Sequence, residues 1–207
     1  KQRGPYESAF ISAGLVNLND VDSTIRIKLR YSTPDNFLGF DIYGDLEDCY
    51  LQEETAFQLK KAQKFLKDGH PDYSLLVWDG VRPLSVQQMM WDSIKKPEHL
   101  KHLYVANPKK TGSIHNYGCG VDVTIMNIQS SELLDMGTDF DYFGTLAYPY
   151  KEKELLEKGV LTETQIKNRQ LLRSVMSKAG FFGTNTEWWH FSLMSKKQAS
   201  QKYEIIK

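Results

Sequence analysis

The chain is poor in cysteine, with only Cys49 and Cys119 among its 207 residues. Two thiols exclude both a disulfide framework and a four-thiolate zinc site within one chain. A chain of this length needs no such staples, because it can bury a continuous hydrophobic core. We therefore expect a single domain over residues 1–207 that is stabilised by packing.

Long apolar runs and an excess of either charge are also missing. No segment approaches the roughly 20 apolar residues that a membrane-spanning helix requires, and the 26 basic residues balance the 26 acidic ones. A neutral chain without a long basic run favours neither nucleic acid nor an anionic membrane as its partner. The sequence predicts a globular protein with a local binding site, and it leaves the oligomeric state open.

Hydrophobic periodicity predicts a mixture of helices and strands. Strand patterns lie at 25–30, 121–125 and 181–194 and in the apolar run that ends at Asp79. Helical spacing covers 51–67, 162–178 and 85–94, the last with Ser85 as its cap, and a polar loop is expected at 97–112. Strands and helices do not alternate regularly and no repeat is visible, so α+β is the predicted class.

Two histidines lie in segments that combine glycine, carboxylates and strand patterning. His115 and Asp122 share one such segment, and His190 lies in another. Two imidazoles and a carboxylate form a complete ligand set for a catalytic zinc ion, which typically keeps its fourth position for water. Gly118 and Gly120 would allow the tight turn that brings the first two ligands to one ion. We therefore expect one Zn²⁺ per chain.

Each of these residues also has a simpler interpretation. A histidine at the start of a strand is commonly a hydrogen-bonded core or surface group, and Asp122 and Glu187 could be surface carboxylates. Their joint occurrence favours a site. A competing pair, His99 and His102, has the spacing of one helix face but lacks an accompanying carboxylate motif or glycine turn.

Arg82 follows the predicted strand that ends at Asp79. It has two interpretations, as a surface cation or partner of Asp79, and as a fixed guanidinium beside a developing oxyanion. Trp188 and Trp189 are expected to form core and pocket wall. Cys119 is expected to be a small buried residue next to the site.

Four motifs in order carry a family resemblance: WDGVRP, SIHNYGCGVD, MGTDFD and EWWHF. With RYSTPDNFLG near the start and NRQLLRSVM before the last motif, the chain resembles zinc D-alanyl-D-alanine dipeptidases of the VanX type over most of its length. The resemblance implies a hedgehog-like and D,D-peptidase-like α+β fold. In such a fold, helices flank a central antiparallel sheet and zinc lies in a cleft.

Carried over by position, the resemblance implies roles for eight residues. Three correspond to the zinc ligands, namely His115, Asp122 and His190. Glu187 corresponds to the catalytic general base, and Arg82 to the cation that stabilises the transition state. Three more match substrate-contacting positions, namely Ser113, Tyr31 and Asp141. Of these, Asp141 resembles the carboxylate that holds the free ammonium group of the dipeptide.

The chain departs from the family pattern at a few positions. Val81 stands where an aromatic residue is usual, and Cys119 and Gly120 stand where serine and alanine are common. A paired histidine expected shortly after Asp141 is missing, since the sequence there reads FGTLAY. These departures do not fall on the expected zinc ligands, general base or transition-state cation. They leave open which side chains the substrate carries.

The resemblance implies hydrolysis of D-Ala-D-Ala-type dipeptides in a bacterium, for cell-wall turnover and nutrition or for glycopeptide resistance. One alternative is a D,D-carboxypeptidase that trims longer cell-wall peptides, against which Asp141 argues. Another is a non-hydrolytic zinc-binding module of the same fold, against which Glu187 and Arg82 argue.

The N-terminus bears on the compartment. The first ten residues lack the apolar core of a signal peptide, and the chain begins with Lys1 rather than Met. We therefore expect that residues have been removed. A processed export signal would place the protein in the periplasm or cell envelope, and a cytoplasmic location is the alternative.

Overall fold

The computed structural model describes residues 4–110 and 112–207. Its helices are α1 (Pro5–Ser12), α2 (Leu18–Val21), α3 (Glu53–Gly69), α4 (Leu84–Ser93), α5 (Glu98–Lys101), α6 (Glu152–Glu157), α7 (Glu163–Lys178) and α8 (Lys196–Lys202). Its strands are β1 (Val16–Asn17), β2 (Arg26–Ile27), β3 (Tyr50–Leu51), β4 (Tyr73–Asp79), β5 (Gly120–Asn127), β6 (Phe182–Gly183) and β7 (His190–Ser192). Short 3-10 turns lie at Arg30–Ser32, Ile114–Tyr117, Thr145–Ala147 and Pro149–Lys151.

A five-stranded sheet in the order β2-β4-β5-β7-β6 forms the centre of the fold. Strands β4 and β5 pair antiparallel, from Tyr73 opposite Asn127 to Asp79 opposite Asp122. Strand β7 pairs antiparallel with β5 and with β6, whereas β2 is parallel to β4. The predicted α+β class is confirmed, and the central sheet is antiparallel except at its β2 edge.

Two long helices pack on the sheet through apolar residues at helical spacing. Helix α3 buries Leu59 and Leu66, and α7 buries Leu172 and Met176. These side chains join the strand residues in one core cluster, and full burial of each stabilises the fold by about 1.5–3 kcal/mol. The packing fixes β4 and β5, whose ends carry the candidate site. Within the described residues, no helix has both the length and the apolar character needed to cross a membrane.

Local details differ from the sequence predictions. The pattern at 25–30 gives only a two-residue strand, because the chain enters a 3-10 turn at Arg30. The expected cap at Ser85 is wrong, since Pro83 is the N-cap residue of α4. The segment 181–194 forms a short antiparallel hairpin rather than one strand, because residues 184–189 turn away between β6 and β7. The predicted loop 97–112 contains the short helix α5.

Gly118 is the point at which the chain turns from His115 into β5. It has a φ of +68°, and a Cβ added there would lie 3.0 Å from Leu15 Cδ2 and 3.2 Å from the Gln52 backbone nitrogen. The left-handed conformation costs a non-glycine residue about 1–2 kcal/mol, and crowding adds to that cost. We predict that Gly118→Ala lowers the free energy of unfolding, measured by urea denaturation, by about 2 kcal/mol or more.

The matched control is Gly159→Ala. Gly159 has a similar φ of +67°, but nothing lies within 4 Å of a Cβ added there. This variant therefore incurs only the conformational cost and should lose less stability than Gly118→Ala. Equal losses in the two variants would show that the close approach of Leu15 and Gln52 to Gly118 has no energetic consequence.

Candidate active site

Two neighbouring strands and a turn bring the three predicted metal ligands together. Asp122 on β5 lies directly opposite His190 on β7 in the strand register. His115 lies in the 3-10 turn that precedes β5, and Gly118 ends this turn in the left-handed conformation. One possible ligand atom from each of the three side chains lies within 4.8 Å of the other two, and all three residues are buried.

Hydrogen bonds on the outer sides of the imidazoles determine which nitrogen faces the cluster. His115 Nδ1 lies 2.7 Å from the Gly80 carbonyl oxygen. A carbonyl only accepts, so Nδ1 carries the proton and Nε2 presents a lone pair. When His190 Nε2 donates to Ser192 Oγ, 3.1 Å away, Nδ1 presents its lone pair to Asp122. His115 Nε2 and His190 Nδ1 are then the ring nitrogens that face the cluster.

The three inward-facing atoms form a triangle that fits a divalent cation. His115 Nε2 lies 3.1 Å from His190 Nδ1 and 3.4 Å from Asp122 Oδ1. The third side, from His190 Nδ1 to Asp122 Oδ1, measures 2.9 Å. Nitrogen and oxygen ligands of a tetrahedral zinc ion are separated by roughly 3.3 Å. Two imidazole nitrogens and a carboxylate oxygen at such distances match the donor set that zinc takes in catalytic sites, so these residues fit zinc.

The ionisation of the cluster agrees with this fit. Burial alone would raise the pKa of Asp122, but the imidazoles, above all His115, lower the pKa on balance. The carboxylate therefore stays ionised at neutral pH. In the parts of the chain that the structure describes, no other group of three or more His, Cys, Asp or Glu residues is arranged to hold a metal ion. The competing histidines His99 and His102 are exposed at helix α5.

Arg82 is fixed beside the cluster by hydrogen bonds. Its Nε and Nη2 donate to Asp79 Oδ2 at 2.9 and 2.5 Å, and its Nη1 donates to Gln87 Oε1 at 3.1 Å. The guanidinium carbon lies 5.1 Å from the centre of the Tyr31 ring, and Nη2 lies 3.7 Å from Asp122 Oδ2. Arg82 is thus a buried partner of Asp79, not a surface cation. Three of its five N–H groups have these partners, and the others are available to an acceptor in the cavity.

Tyr31 and Asp141 form a hydrogen-bonded pair on another wall. The Tyr31 hydroxyl donates to Asp141 Oδ2 at 2.9 Å, and the tyrosine is buried. Burial raises the pKa of Asp141 well above its ordinary value, the hydrogen bond from Tyr31 opposes this rise, and the Asp122 carboxylate adds to it. A cation bound beside Asp141 would favour the ionised form of this carboxyl group.

Glu187 and Ser113 lie on turns at the edge of the cluster. Glu187 is half-buried, and its backbone N–H donates to Thr184 Oγ1 at 3.2 Å, which orders the turn before β7. Burial raises the pKa of Glu187, and His190 opposes this rise. Ser113 is the N-cap residue of the turn that carries His115, whose N–H donates to the serine hydroxyl at 3.3 Å.

All eight predicted site residues line one cavity of about 340 Å³. The cavity also has lining residues that the sequence did not indicate, which come from separate loops, helices and strands: Phe37, Gln87, Tyr104, Phe182, Ser192 and Lys196. Apart from Ser192, their side chains reach the cavity only through tertiary folding, so no local pattern identifies them. Ser192 had the one available signal, because it lies two residues from His190 on the same face of a strand.

The predictions for the neighbouring aromatic and thiol side chains are confirmed. Trp188 and Trp189 are buried, and Trp189 also lines the cavity. Cys119 is fully buried next to the turn that carries His115.

Comparison with known proteins identifies the family. A model of the D-Ala-D-Ala dipeptidase family matches residues 11–207. The chain belongs to this family. It is 30% identical to the D-alanyl-D-alanine dipeptidase of Escherichia coli (strain K12) over 179 residues, which cover 86% of this chain and 84% of that protein. It is 26% identical to the D-alanyl-D-alanine dipeptidase of Enterococcus faecium over 205 residues, which cover 93% and 97% of the two chains.

A solved structure is also similar, although more distantly. The LdcB LD-carboxypeptidase, whose structure reveals the molecular basis of peptidoglycan recognition, is 21% identical with a TM-score of 0.44. The match covers 73% of this chain and 63% of that one.

Membership of the D-Ala-D-Ala dipeptidase family confirms the resemblance noted in the sequence and the predicted enzyme class. The protein is a peptidase of the D,D-peptidase type, and its family supports hydrolysis of a dipeptide. The roles of the individual site residues, the bound zinc and the single-domain organisation stay predictions.

We predict that the purified protein binds about one zinc ion per chain and that His190→Ala loses it. The loss follows because two remaining ligands are too few for a stable site, and His115→Ala and Asp122→Ala should behave alike. Elemental analysis of dialysed protein measures the zinc content. The control is His99→Ala, which changes an exposed imidazole on α5 and should retain zinc. Full zinc occupancy in His190→Ala would contradict the ligand assignment.

Proposed function

We propose that the protein is a zinc-dependent dipeptidase that hydrolyses the peptide bond of D-Ala-D-Ala. One observation carries the proposal. A cluster suited to a divalent cation, a half-buried glutamate, a fixed arginine and a tyrosine–aspartate pair all line the same cavity. Membership of the D-Ala-D-Ala dipeptidase family supports the substrate class.

Glu187 is the proposed general base. His115, Asp122 and His190 would hold the zinc ion, which would supply a water molecule with a pKa lowered toward about 7 and a Lewis acid for the scissile carbonyl. Glu187 accepts the proton of the attacking water and later donates a proton to the leaving amine. Its burial raises the pKa of this carboxyl group, which brings it closer to the working pH, as an efficient acid–base catalyst requires.

Arg82 is the proposed donor to the oxyanion that develops on the scissile carbonyl. Its guanidinium needs little reorganisation during the reaction, because Asp79 and Gln87 already hold it in place. A charged donor that is fixed in a buried site stabilises a developing charge far more than the same group in water. The buried Asp79 carboxylate also compensates the positive charge in the resting enzyme.

Asp141 and Tyr31 are the proposed binding site for the amino end of the substrate. A free ammonium group would pair with the Asp141 carboxylate, whose ionised form burial otherwise disfavours. Fixing the amino end determines which peptide bond lies over the catalytic groups. Ser113, at the start of the turn that carries His115, is proposed to contact the substrate as well. This arrangement favours a free dipeptide over the longer peptides that a D,D-carboxypeptidase would take.

We predict that Glu187→Gln retains zinc and fold but loses turnover by roughly 100- to 10,000-fold, because a positioned base contributes about that much. Steady-state assays of amine release from D-Ala-D-Ala, paired with zinc analysis, measure both properties. Glu163→Gln, which changes an exposed carboxylate at the start of α7, is the control and should be fully active. Near-normal turnover in Glu187→Gln would mean that another residue is the base.

We predict that the enzyme cleaves D-Ala-D-Ala and scarcely cleaves N-acetyl-D-Ala-D-Ala or a pentapeptide ending in D-Ala-D-Ala. An acylated amino end cannot form the buried ion pair with Asp141, and the loss of such a pair costs about 2 kcal/mol or more, at least roughly 30-fold in catalytic efficiency. Asp141→Asn should lower the catalytic efficiency on the free dipeptide. It should also reduce the preference for the free over the N-acetylated dipeptide. Equal cleavage of the pentapeptide and the dipeptide by wild type would replace this proposal with a D,D-carboxypeptidase.

A further inference from the structure

The segment that carries Asp141 is a turn with no main-chain tie to the rest of the fold. In the parts of the chain that the structure describes, residues 139–141 lie outside every helix and strand and form no backbone–backbone hydrogen bond to another element or loop. Asp141 itself has a left-handed backbone, with a φ of 58°. Main-chain hydrogen bonds usually fix the backbone of an ordered segment. Here the position of the carboxylate depends on side chains.

Arg30 forms an ion pair with Asp139 in this segment. Its Nη2 donates to Asp139 Oδ2 at 3.1 Å. The same guanidinium holds a second loop, since Nε donates to the Asp35 carbonyl oxygen at 2.6 Å and Nη2 donates to Asp35 Oδ1 at 3.1 Å. The guanidinium carbon also lies 5.7 Å from the centre of the Trp78 ring and 5.9 Å from that of Phe140. One buried, planar cation therefore joins two loops to the core.

This anchor lies next to both members of the Tyr31–Asp141 pair. Arg30 and Tyr31 are consecutive residues of one 3-10 turn, and Asp139 and Asp141 lie on the same short segment. Between the two aspartates, Phe140 packs edge-on against Tyr31 with ring centres 5.7 Å apart. Displacement of the Arg30 guanidinium would thus move both the carboxylate and its hydrogen-bond donor.

We propose that Arg30 is a positioning residue for the amino end of the substrate. By joining Asp139 to the loop that contains Asp35, it holds Asp141 and Tyr31 in the positions where they can bind an ammonium group. Arg30 is buried and does not belong to the described residues that line the cavity, so it acts through its neighbours. The inference rests on the proposed role of Asp141 in binding a free dipeptide.

The kinetic test compares two matched substitutions, Asp139→Asn and Asp35→Asn. Both carboxylates contact Arg30, and their side chains are similarly exposed, at 66% and 60%. We expect Asp139→Asn to raise KM for D-Ala-D-Ala roughly tenfold or more with a smaller change in kcat, because the reacting groups stay in place. It should also reduce the preference for the free over the N-acetylated dipeptide. Arg30→Met should reproduce both effects.

Asp35→Asn should change KM by no more than about twofold, because Arg30 then keeps its contact with Asp139 and its hydrogen bond to the backbone carbonyl of residue 35. All three variants should retain zinc. A purely structural role would reduce folded protein, zinc and kcat together, with the preference for the free amino end unchanged. That result, or equal kinetics for Asp139→Asn and Asp35→Asn, would overturn the proposal.

A structural readout tests the positioning without any substrate. In a crystal structure of zinc-loaded Arg30→Met, Tyr31 Oη and Asp141 Oδ2 should lie more than about 3.5 Å apart, beyond hydrogen-bond distance. An intact Tyr31–Asp141 hydrogen bond in that variant would overturn the inference about Arg30. Failure of the proposed function is a different result, since it would show in the wild-type enzyme as the absence of D-Ala-D-Ala cleavage.

Discussion

Three buried side chains that face one another at ligand distances are the constraint on which this site depends. Strand register places Asp122 opposite His190, and the Gly118 turn brings in His115. Hydrogen bonds to the Gly80 carbonyl and to Ser192 orient the two imidazole rings. The packed sheet thus brings the ligand set together before a metal ion binds, and metal binding in turn stabilises the fold.

Asp79, at the end of β4, holds Arg82 beside the metal cluster. The register of β4 against β5 shifts between Val77 and Asp79, and such irregularities re-aim side chains near functional sites. The fully buried Asp79 carboxylate accepts from Tyr43 Oη at 2.8 Å and from the Arg82 guanidinium. One carboxylate therefore compensates a buried cation and sets its direction, which explains how Arg82 can lie beside the metal cluster without being exposed.

The sequence predicted the elements and motifs that consecutive residues determine. It missed the contacts that only tertiary folding creates. Periodicity located the long helices and β4 and β5, because one buried face imposes its repeat on consecutive residues. The motifs located eight of the residues that line the cavity, whereas Phe37 and Tyr104 gave no signal because only tertiary folding brings their loops to the cavity. The hairpin at 181–194 was mistaken for one strand, since apolar residues on both sides of its turn hide the break.

Three departures from the expected family pattern, at Val81, Cys119 and Gly120, concern packing behind the site rather than the described wall of the cavity. Val81 and Cys119 are buried and do not belong to the described residues that line the cavity. At Gly120 an added Cβ would lie 2.6 Å from Ile114 Cγ2 and 3.5 Å from His190 Cε1. Ile114 thus occupies the space that a side chain at position 120 would need. Phe37 and Tyr104 reach the cavity from loops, so this part of its wall is independent of the sheet that carries Asp122 and His190.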